Sequence, residues 1–377
     1  MADLFDYLYW RDDLTLEQDG LNEVDVAILS RLAYLPFDDL KQWPVTVGDA
    51  AVALLMEPEI GEKVLMESDL QLLSRLAHGR RFASLTLCGY VSCIQEDTQT
   101  QFSALTVRLG EGRHMILFRG TDNTLVGWKE NFNMAFVCPV PAQTAALAYL
   151  EQAAGETAGE LLVAGHSKGG NLAVYASACC GEAVQQRISH VYNLDGPGFT
   201  AAVIETDGYQ RICSRISTYV PQSSVVGMLL EHEEQYTVVH SAETVNLLQH
   251  DVCSWEVEQK RFACVETVTD GSRFIDATVK AWLAALEPEQ REKFIDAVYE
   301  ILRQTNAHTL RQLRENWLSS SVTILRAWRE LDEDTRNVMT QVLQALSQSA
   351  REELTQVLKE TPARLKPGQK LPQQPKV

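Results

Sequence analysis

Apolar side chains recur at helical spacing between residues 22 and 40, which predicts an amphipathic helix packed on a core. The pattern then changes, because residues 84–94, 101–109 and 114–120 are rich in β-branched and other apolar side chains and are separated by polar turns. Such runs are typical of consecutive strands. The first third of the chain therefore predicts a helix followed by part of a sheet.

Helical and strand patterns alternate in the middle of the chain. The alanine-rich segment 141–156 predicts a helix, and the apolar run 160–165 predicts a short buried strand. A helix of small residues over 169–180 and two further strand-like runs, 190–198 and 215–224, follow. Alternation of this kind predicts βαβ units, and hence an α/β fold with a central, mostly parallel sheet.

Strand patterns end near residue 273. Residues 286–302 instead carry apolar side chains at the spacing of one helical face. We therefore predict an α/β domain over residues 1–272 and an all-helical extension over residues 273–363. The polar, proline-containing tail over residues 364–377 is predicted to be disordered.

Composition narrows the classes of function. The formal net charge of −18 opposes binding to the phosphates of nucleic acid or to anionic lipid. The chain has no apolar run long enough to predict a transmembrane segment, and its acidic N-terminus does not resemble a secretion signal, so a cytoplasmic protein is expected. The eight cysteines lack the paired spacing of metal ligands, which predicts buried free thiols and no metal site. Nothing in the pattern indicates the oligomeric state.

A candidate nucleophile lies in Gly165-His166-Ser167-Lys168-Gly169, between the buried-strand run and the small-residue helix. In this setting a Gly-x-Ser-x-Gly string is typical of a nucleophile elbow, a sharp turn that points the serine hydroxyl outward. Bulky side chains at positions 165 and 169 would clash in so tight a turn. We therefore predict that Ser167 is the nucleophile and that the backbone N–H of Lys168 is an oxyanion-hole donor. The alternative is a glycine-rich turn that performs no chemistry.

Two segments carry a resemblance to a known family. Phe118-Arg119-Gly120-Thr121, followed by Trp128, resembles the FRGT-to-Trp segment of the lipase class 3 family, and AGHSKGG resembles that family's GHSLGG elbow. With NEVDVAILSRLAYL, YNLDGPGF, VPQSSVVGMLL and HDVCSWEV, the chain resembles still more closely a bacterial family of lipase-like α/β-hydrolases, over roughly residues 20–350. The resemblance implies an α/β-hydrolase fold and a second oxyanion donor in Thr121, through its backbone N–H with its hydroxyl as a further candidate. The alternative for residues 119–121 is a plain strand-ending turn.

A serine nucleophile needs a general base, and in this superfamily the order along the chain is nucleophile, acid, then histidine. Five histidines follow the elbow, and four of them lie within residues 1–272. We predict His250, which comes after the last candidate strand and stands where the resemblance also places the family's histidine. His240 is the alternative base, and His166 within the elbow is predicted to have a supporting role.

The acid is marked less plainly than the nucleophile. Class 3 lipases have an aspartate in a pattern like N-D-x-V-P after the next-to-last strand, whereas the corresponding stretch here, 221–225, reads PQSSV. Asp195, at the end of the preceding strand-like run, can take this role if its side chain reaches across one strand spacing of about 4.8 Å. It would hold the histidine tautomer and stabilise the imidazolium. The alternative is that Asp195 caps the turn formed by residues 196–198.

Together these residues predict a serine hydrolase that acts on a small-molecule or lipid ester through an acyl-enzyme, with no cofactor. Two alternatives stay open. One is an acyltransferase or thioesterase that uses the same serine, and the other is a non-catalytic interaction protein that keeps the fold and binds through its C-terminal helices. Pocket walls are expected from residues 123–136 and 225–230, and from the C-terminal helices, which would then act as a lid.

Overall fold

The computed structural model describes residues 2–122, 124–134, 137–305 and 317–360. Its helices are α1 Leu4–Arg11, α2 Glu23–Leu32, α3 Val47–Leu55, α4 Ile60–Lys63, α5 Ser68–Leu76, α6 Leu125–Asn133, α7 Pro141–Glu156, α8 Lys168–Cys179, α9 Glu182–Gln185, α10 Ala201–Ile204, α11 Asp207–Ile212, α12 Asp270–Ala284, α13 Pro288–Arg303, α14 Trp317–Glu330 and α15 Glu333–Glu360. Its strands are β1 Val45–Thr46, β2 Thr86–Gln95, β3 Thr100–Gly110, β4 Arg113–Phe118, β5 Glu160–His166, β6 Ile188–Leu194, β7 Ile216–Pro221, β8 Tyr236–Val239, β9 Val257–Glu258, β10 Arg261–Phe262 and β11 Cys264–Val265.

Nine strands of the described chain form one mixed sheet, in the order β1-β2-β3-β4-β5-β6-β7-β8-β11. Its centre, from β4 to β8, is parallel. The strands from β1 to β4 and the pair β8–β11 are antiparallel. Parallel neighbours require crossover connections, which contain α7 between β4 and β5, α8 between β5 and β6, and α11 between β6 and β7. β7 and β8 are joined by a loop without a helix. The prediction of an α/β-hydrolase fold with a parallel sheet at its centre is therefore confirmed.

The central strands read as continuous apolar runs because helices cover both faces of the sheet. Alternate side chains of a strand point to opposite faces. Leu117 and Leu162 accordingly pack into the core beneath the N-terminal helices α2, α3 and α5. Their neighbours Phe118 and Val163 pack into a second core against α7 and α8. The functional loops can therefore lie only at the ends of the strands.

Among the residues that the structure describes, every element from α12 onward is a helix, and no strand follows β11. Ala297, Ile301, Ala327 and Met339 form a small core of their own between these helices. The division at residues 272 and 273 stays a prediction, and the tail over residues 364–377 lies outside the described residues.

All eight cysteines are free thiols. The expectation of burial is confirmed only for Cys180, and four others are half-buried: Cys88, Cys93, Cys213 and Cys253. It is wrong for Cys138, Cys179 and Cys264, which are exposed because they lie in a loop, at a helix end and in an edge strand, respectively. Within the described ranges no helix is long and apolar enough to cross a membrane. In the same ranges no group of three or more His, Cys, Asp or Glu side chains is arranged to hold a metal ion.

Candidate active site

Ser167 is the single residue between the end of β5 and the start of α8, and its backbone has φ 58° and ψ −133°. A positive φ is uncommon for a residue with a side chain and costs about 1–3 kcal/mol, which the surrounding structure must offset. The flanking glycines are required sterically. A Cβ at Gly165 would lie 2.2 Å from the backbone of Gly169, and a Cβ at Gly169 would lie 2.1 Å from the carbonyl oxygen of Phe118. The turn therefore has the tight geometry that the motif predicts.

His250 and Asp195 are hydrogen-bonded, with 2.6 Å between His250 Nδ1 and Asp195 Oδ2. His250 ends a 3-10 helix, and Asp195 follows β6 directly with a φ of 50°. The carboxylate is buried, whereas the imidazole is 25% exposed. Because a carboxylate oxygen only accepts, Nδ1 carries the proton, and Nε2 of the neutral ring is left as the basic nitrogen.

Asp195 does not cap the turn that follows it, which was the alternative role. Asn193 performs that task instead, because its Oδ1 accepts the Gly196 N–H at 3.0 Å. The Asp195 carboxylate faces the opposite way, toward the loop that follows β7. There its Oδ1 accepts the Ser224 hydroxyl at 2.5 Å and the Gly227 N–H at 3.2 Å. The serine in the stretch where the resemblance expects an aspartate thus donates to Asp195.

Thr121 lies beside Ser167 because β4 and β5 are parallel neighbours with Phe118 opposite Gly165. Thr121, Ser167 and His250 line one cavity of about 280 Å³. The Thr121 Oγ1 is shielded from solvent and has no hydrogen-bond partner among the described residues. N–H groups in the first turn of a helix lack intrahelical acceptors, and Lys168 is the first residue of α8, so its N–H has no partner within the helix. Two donors thus flank the serine.

Tyr34, which the sequence did not mark as functional, connects the loops around Ser167. Its hydroxyl accepts the Gly120 N–H at 3.1 Å and donates to His166 Nδ1 at 3.1 Å. His166 Nε2 in turn donates to the His250 carbonyl oxygen at 2.7 Å. Burial, followed by the nearby His250, lowers the pKa of His166 well below its usual value, so this imidazole is neutral. The supporting role of His166 stays a prediction.

His240, the alternative base, lies away from Asp195. Its Nδ1 pairs with Glu256 Oε2 at 2.7 Å, and its side chain is 35% exposed. The geometry therefore brings together Ser167, His250 and Asp195, with Lys168 and Thr121 at the sides, and leaves His240 outside.

The Lys168 side chain is fully buried, although lysine is usually exposed. Its Nζ donates to the Gln101 carbonyl oxygen at 2.6 Å, to Gln101 Oε1 at 2.7 Å and to Glu130 Oε2 at 2.8 Å. Gln101 Nε2 then reaches the Gly120 carbonyl oxygen at 3.4 Å. Burial lowers the pKa of the Lys168 ammonium, and the charge of Glu130 opposes this shift. The ion pair thereby joins β3, α6 and the loop that carries Thr121.

Replacing Glu130 with alanine is expected to lower the free energy of unfolding by about 3–5 kcal/mol, because the Lys168 ammonium would stay buried without its counter-charge. Adding Lys168→Met should recover part of that loss, since no charge is then buried. Urea unfolding measures both effects. Glu300→Ala serves as the control, because Glu300 pairs with Arg303 at the surface and should cost less than about 1 kcal/mol. A double variant less stable than the single one would contradict this account.

Comparisons with known proteins add a family match. The model of the Mbeg1-like family matches residues 76–300, more than half of the chain. Among solved structures, the chain is similar to a mutant form of MDLA from Penicillium cyclopium, with a TM-score of 0.38, 11% identity, and coverage of 64% of this chain and 83% of that chain. It is also similar to M37 lipase, with a TM-score of 0.31, 14% identity, and coverage of 54% and 68%. No curated protein matches. The matched range 76–300 includes all five residues of the predicted site.

Proposed function

The chain belongs to the Mbeg1-like family, and we propose that it is a serine hydrolase that cleaves a small-molecule or lipid carboxylic ester through an acyl-enzyme. The observation that carries the proposal is the 2.6 Å hydrogen bond between His250 and Asp195, because His250 lines one cavity with the strained Ser167. A structural turn has no need of a strained serine beside a histidine whose second nitrogen is left basic.

His250 acts first as the general base. Its Nε2 removes the Ser167 proton as the hydroxyl oxygen attacks the ester carbonyl carbon, and the ring becomes an imidazolium. Asp195 stabilises that cation and holds the tautomer through the hydrogen bond to Nδ1. Ser224 and Gly227 fix the carboxylate by donating to its other oxygen. The imidazolium then returns the proton to the departing alkoxide.

The carbonyl oxygen gains negative charge in the tetrahedral intermediate and needs preorganised donors. We assign this task to the Lys168 N–H and to Thr121, whose hydroxyl lacks a protein partner among the described residues. Such a buried, unpaired hydroxyl costs free energy in the resting protein unless a ligand or water satisfies it. When the intermediate collapses, the acyl group stays on Ser167. A water molecule activated by His250 then hydrolyses the acyl-enzyme.

Labelling with a fluorophosphonate probe tests the activated nucleophile. We expect the wild-type protein to be labelled at Ser167, Ser167→Ala to be unlabelled, and His250→Ala to be labelled far more slowly, because the serine then has no base. Mass spectrometry of the labelled peptide identifies the residue. His240→Ala is the control and should be labelled at the wild-type rate.

Two outcomes would contradict the proposal. If folded wild-type protein is not labelled, the non-catalytic interaction protein becomes the better hypothesis. If His240→Ala loses labelling and His250→Ala keeps it, the assignment of the base is wrong.

A further inference from the structure

A second cavity lies between the α/β sheet and the C-terminal helices. Its volume is about 220 Å³, and its lining is almost wholly apolar. The walls include Phe132 of α6, Leu229 of the loop after β7, Val279 and Trp282 of α12, and Phe294 of α13. These are the segments from which the sequence predicts pocket walls, although Asn123 and Phe136, at the ends of the first predicted segment, lie outside the described residues.

One wall residue of the cavity is hydrogen-bonded to the helix that follows the elbow. Pro197 lines the cavity, and Asn171 Nδ2 in the first turn of α8 donates to the Pro197 carbonyl oxygen at 3.1 Å. The adjoining Gly196 packs so tightly that a Cβ there would lie 2.5 Å from the Ser167 carbonyl oxygen. The segment that supplies Pro197 to the cavity therefore packs on the backbone of Ser167.

The opposite walls are also tied to the site. Glu130 on α6 holds Lys168, while the adjacent Lys129, only 4% exposed, pairs with Asp296 of α13 at 2.7 Å. Ser272 of α12 donates to the Ser224 carbonyl oxygen in the loop that contacts the acid. The C-terminal helices thus dock on the two segments that flank the serine.

The loop that closes this cavity is strained. Leu230, another lining residue, has a φ of 65°, which a branched side chain rarely adopts. A bridge between Phe199 and Glu231 holds the loop in place. Strained residues that the surrounding structure holds in place are concentrated at ligand sites.

We propose that this cavity takes the acyl chain of the ester, with the alcohol portion left in the polar cavity around His250. This assignment rests on the proposed function. A cavity of about 150 Å³ lined by similar side chains holds a benzene ring, so a medium-length chain of about eight carbon atoms fits here. α12 and α13 would then determine the acyl chain length that the protein prefers.

The test is hydrolysis of 4-nitrophenyl esters from acetyl to tetradecanoyl by the full chain. We expect kcat/KM to rise about fourfold per added methylene up to about eight carbons and then to level off or fall. Val279→Phe and Leu229→Phe fill the cavity from opposite walls. Each should lower the octanoyl-to-acetyl ratio of kcat/KM at least tenfold. Val52→Phe, on the exposed face of α3, is the matched control and should leave the ratio unchanged.

The outcomes separate this assignment from the proposed function. Fluorophosphonate labelling and ester hydrolysis with a flat chain-length profile, the same in all variants, would overturn the acyl assignment and leave the hydrolase standing. Absence of both labelling and hydrolysis in folded protein would overturn both. Circular dichroism melting shows which variants are folded, and either filled variant alone suffices for the comparison.

Discussion

Alanine at Ser167 or at His250 is expected to lower kcat for ester hydrolysis about a millionfold, and the double variant should be no worse than either single one. The two side chains act as one unit, since the serine without its base stays a protonated hydroxyl and the base without the serine has no proton to remove. Losses from such a unit do not add.

Steady-state rates with an octanoyl ester measure this effect, and His240→Ala is the control with wild-type kinetics expected. His240 pairs with Glu256 instead of Asp195, so its removal leaves the proposed triad intact. Multiplicative losses in the double variant would indicate that Ser167 and His250 act independently, which the proposed mechanism does not allow.

The sequence predicted the parts of the fold that follow from local patterning. The buried runs at β4 and β5 and the alanine-rich helix α7 lie where the apolar periodicity indicated. The tight turn at Ser167 was predictable for a related reason. Its glycines are required by local steric contacts, since a Cβ at Gly165 would clash with the backbone of Gly169.

The supporting contacts were not predictable in the same way. In the sequence, Tyr34 lies within a segment whose pattern predicts an amphipathic helix, and nothing there marks it as functional. Its contacts with Gly120 and His166 form only in the folded chain. A lysine side chain is ordinarily expected at the surface, yet the Lys168 ammonium is buried and pairs with Glu130. Both contacts join residues far apart in the chain, and no local spacing encodes them.

Asp195, the acid that we propose, does not stand where the family pattern places an aspartate. The pattern places the acid after the strand that corresponds to β7, whereas here the carboxylate follows β6 and accepts a hydroxyl from Ser224 in the loop after β7. A side chain can reach the same point from either of two adjacent strands, because their ends lie only about 4.8 Å apart. The position of a carboxylate in space is therefore a better guide to its role than its position in the chain.

Replacing Asp195 with asparagine is expected to lower kcat about ten-thousandfold while the protein stays folded. An amide offers Nδ1 a donor as readily as an acceptor, so His250 can adopt the wrong tautomer, and the imidazolium loses its counter-charge. Both effects act in the transition state, and kcat and kcat/KM should therefore fall together.

Variants of two residues near His250 and Asp195 test whether Asp195 serves the reaction or only the structure. Ser224→Ala removes one hydrogen bond to the carboxylate and should cost about tenfold, because Gly227 still holds Oδ1. Asp251→Asn changes the carboxylate next to His250 in the chain, which caps the Cys253 N–H at 3.0 Å, and should cost less than about tenfold. If Asp251→Asn lowers kcat more than Asp195→Asn does, the acid of the site is Asp251, and the 2.6 Å contact between Asp195 and His250 positions the histidine without serving the reaction.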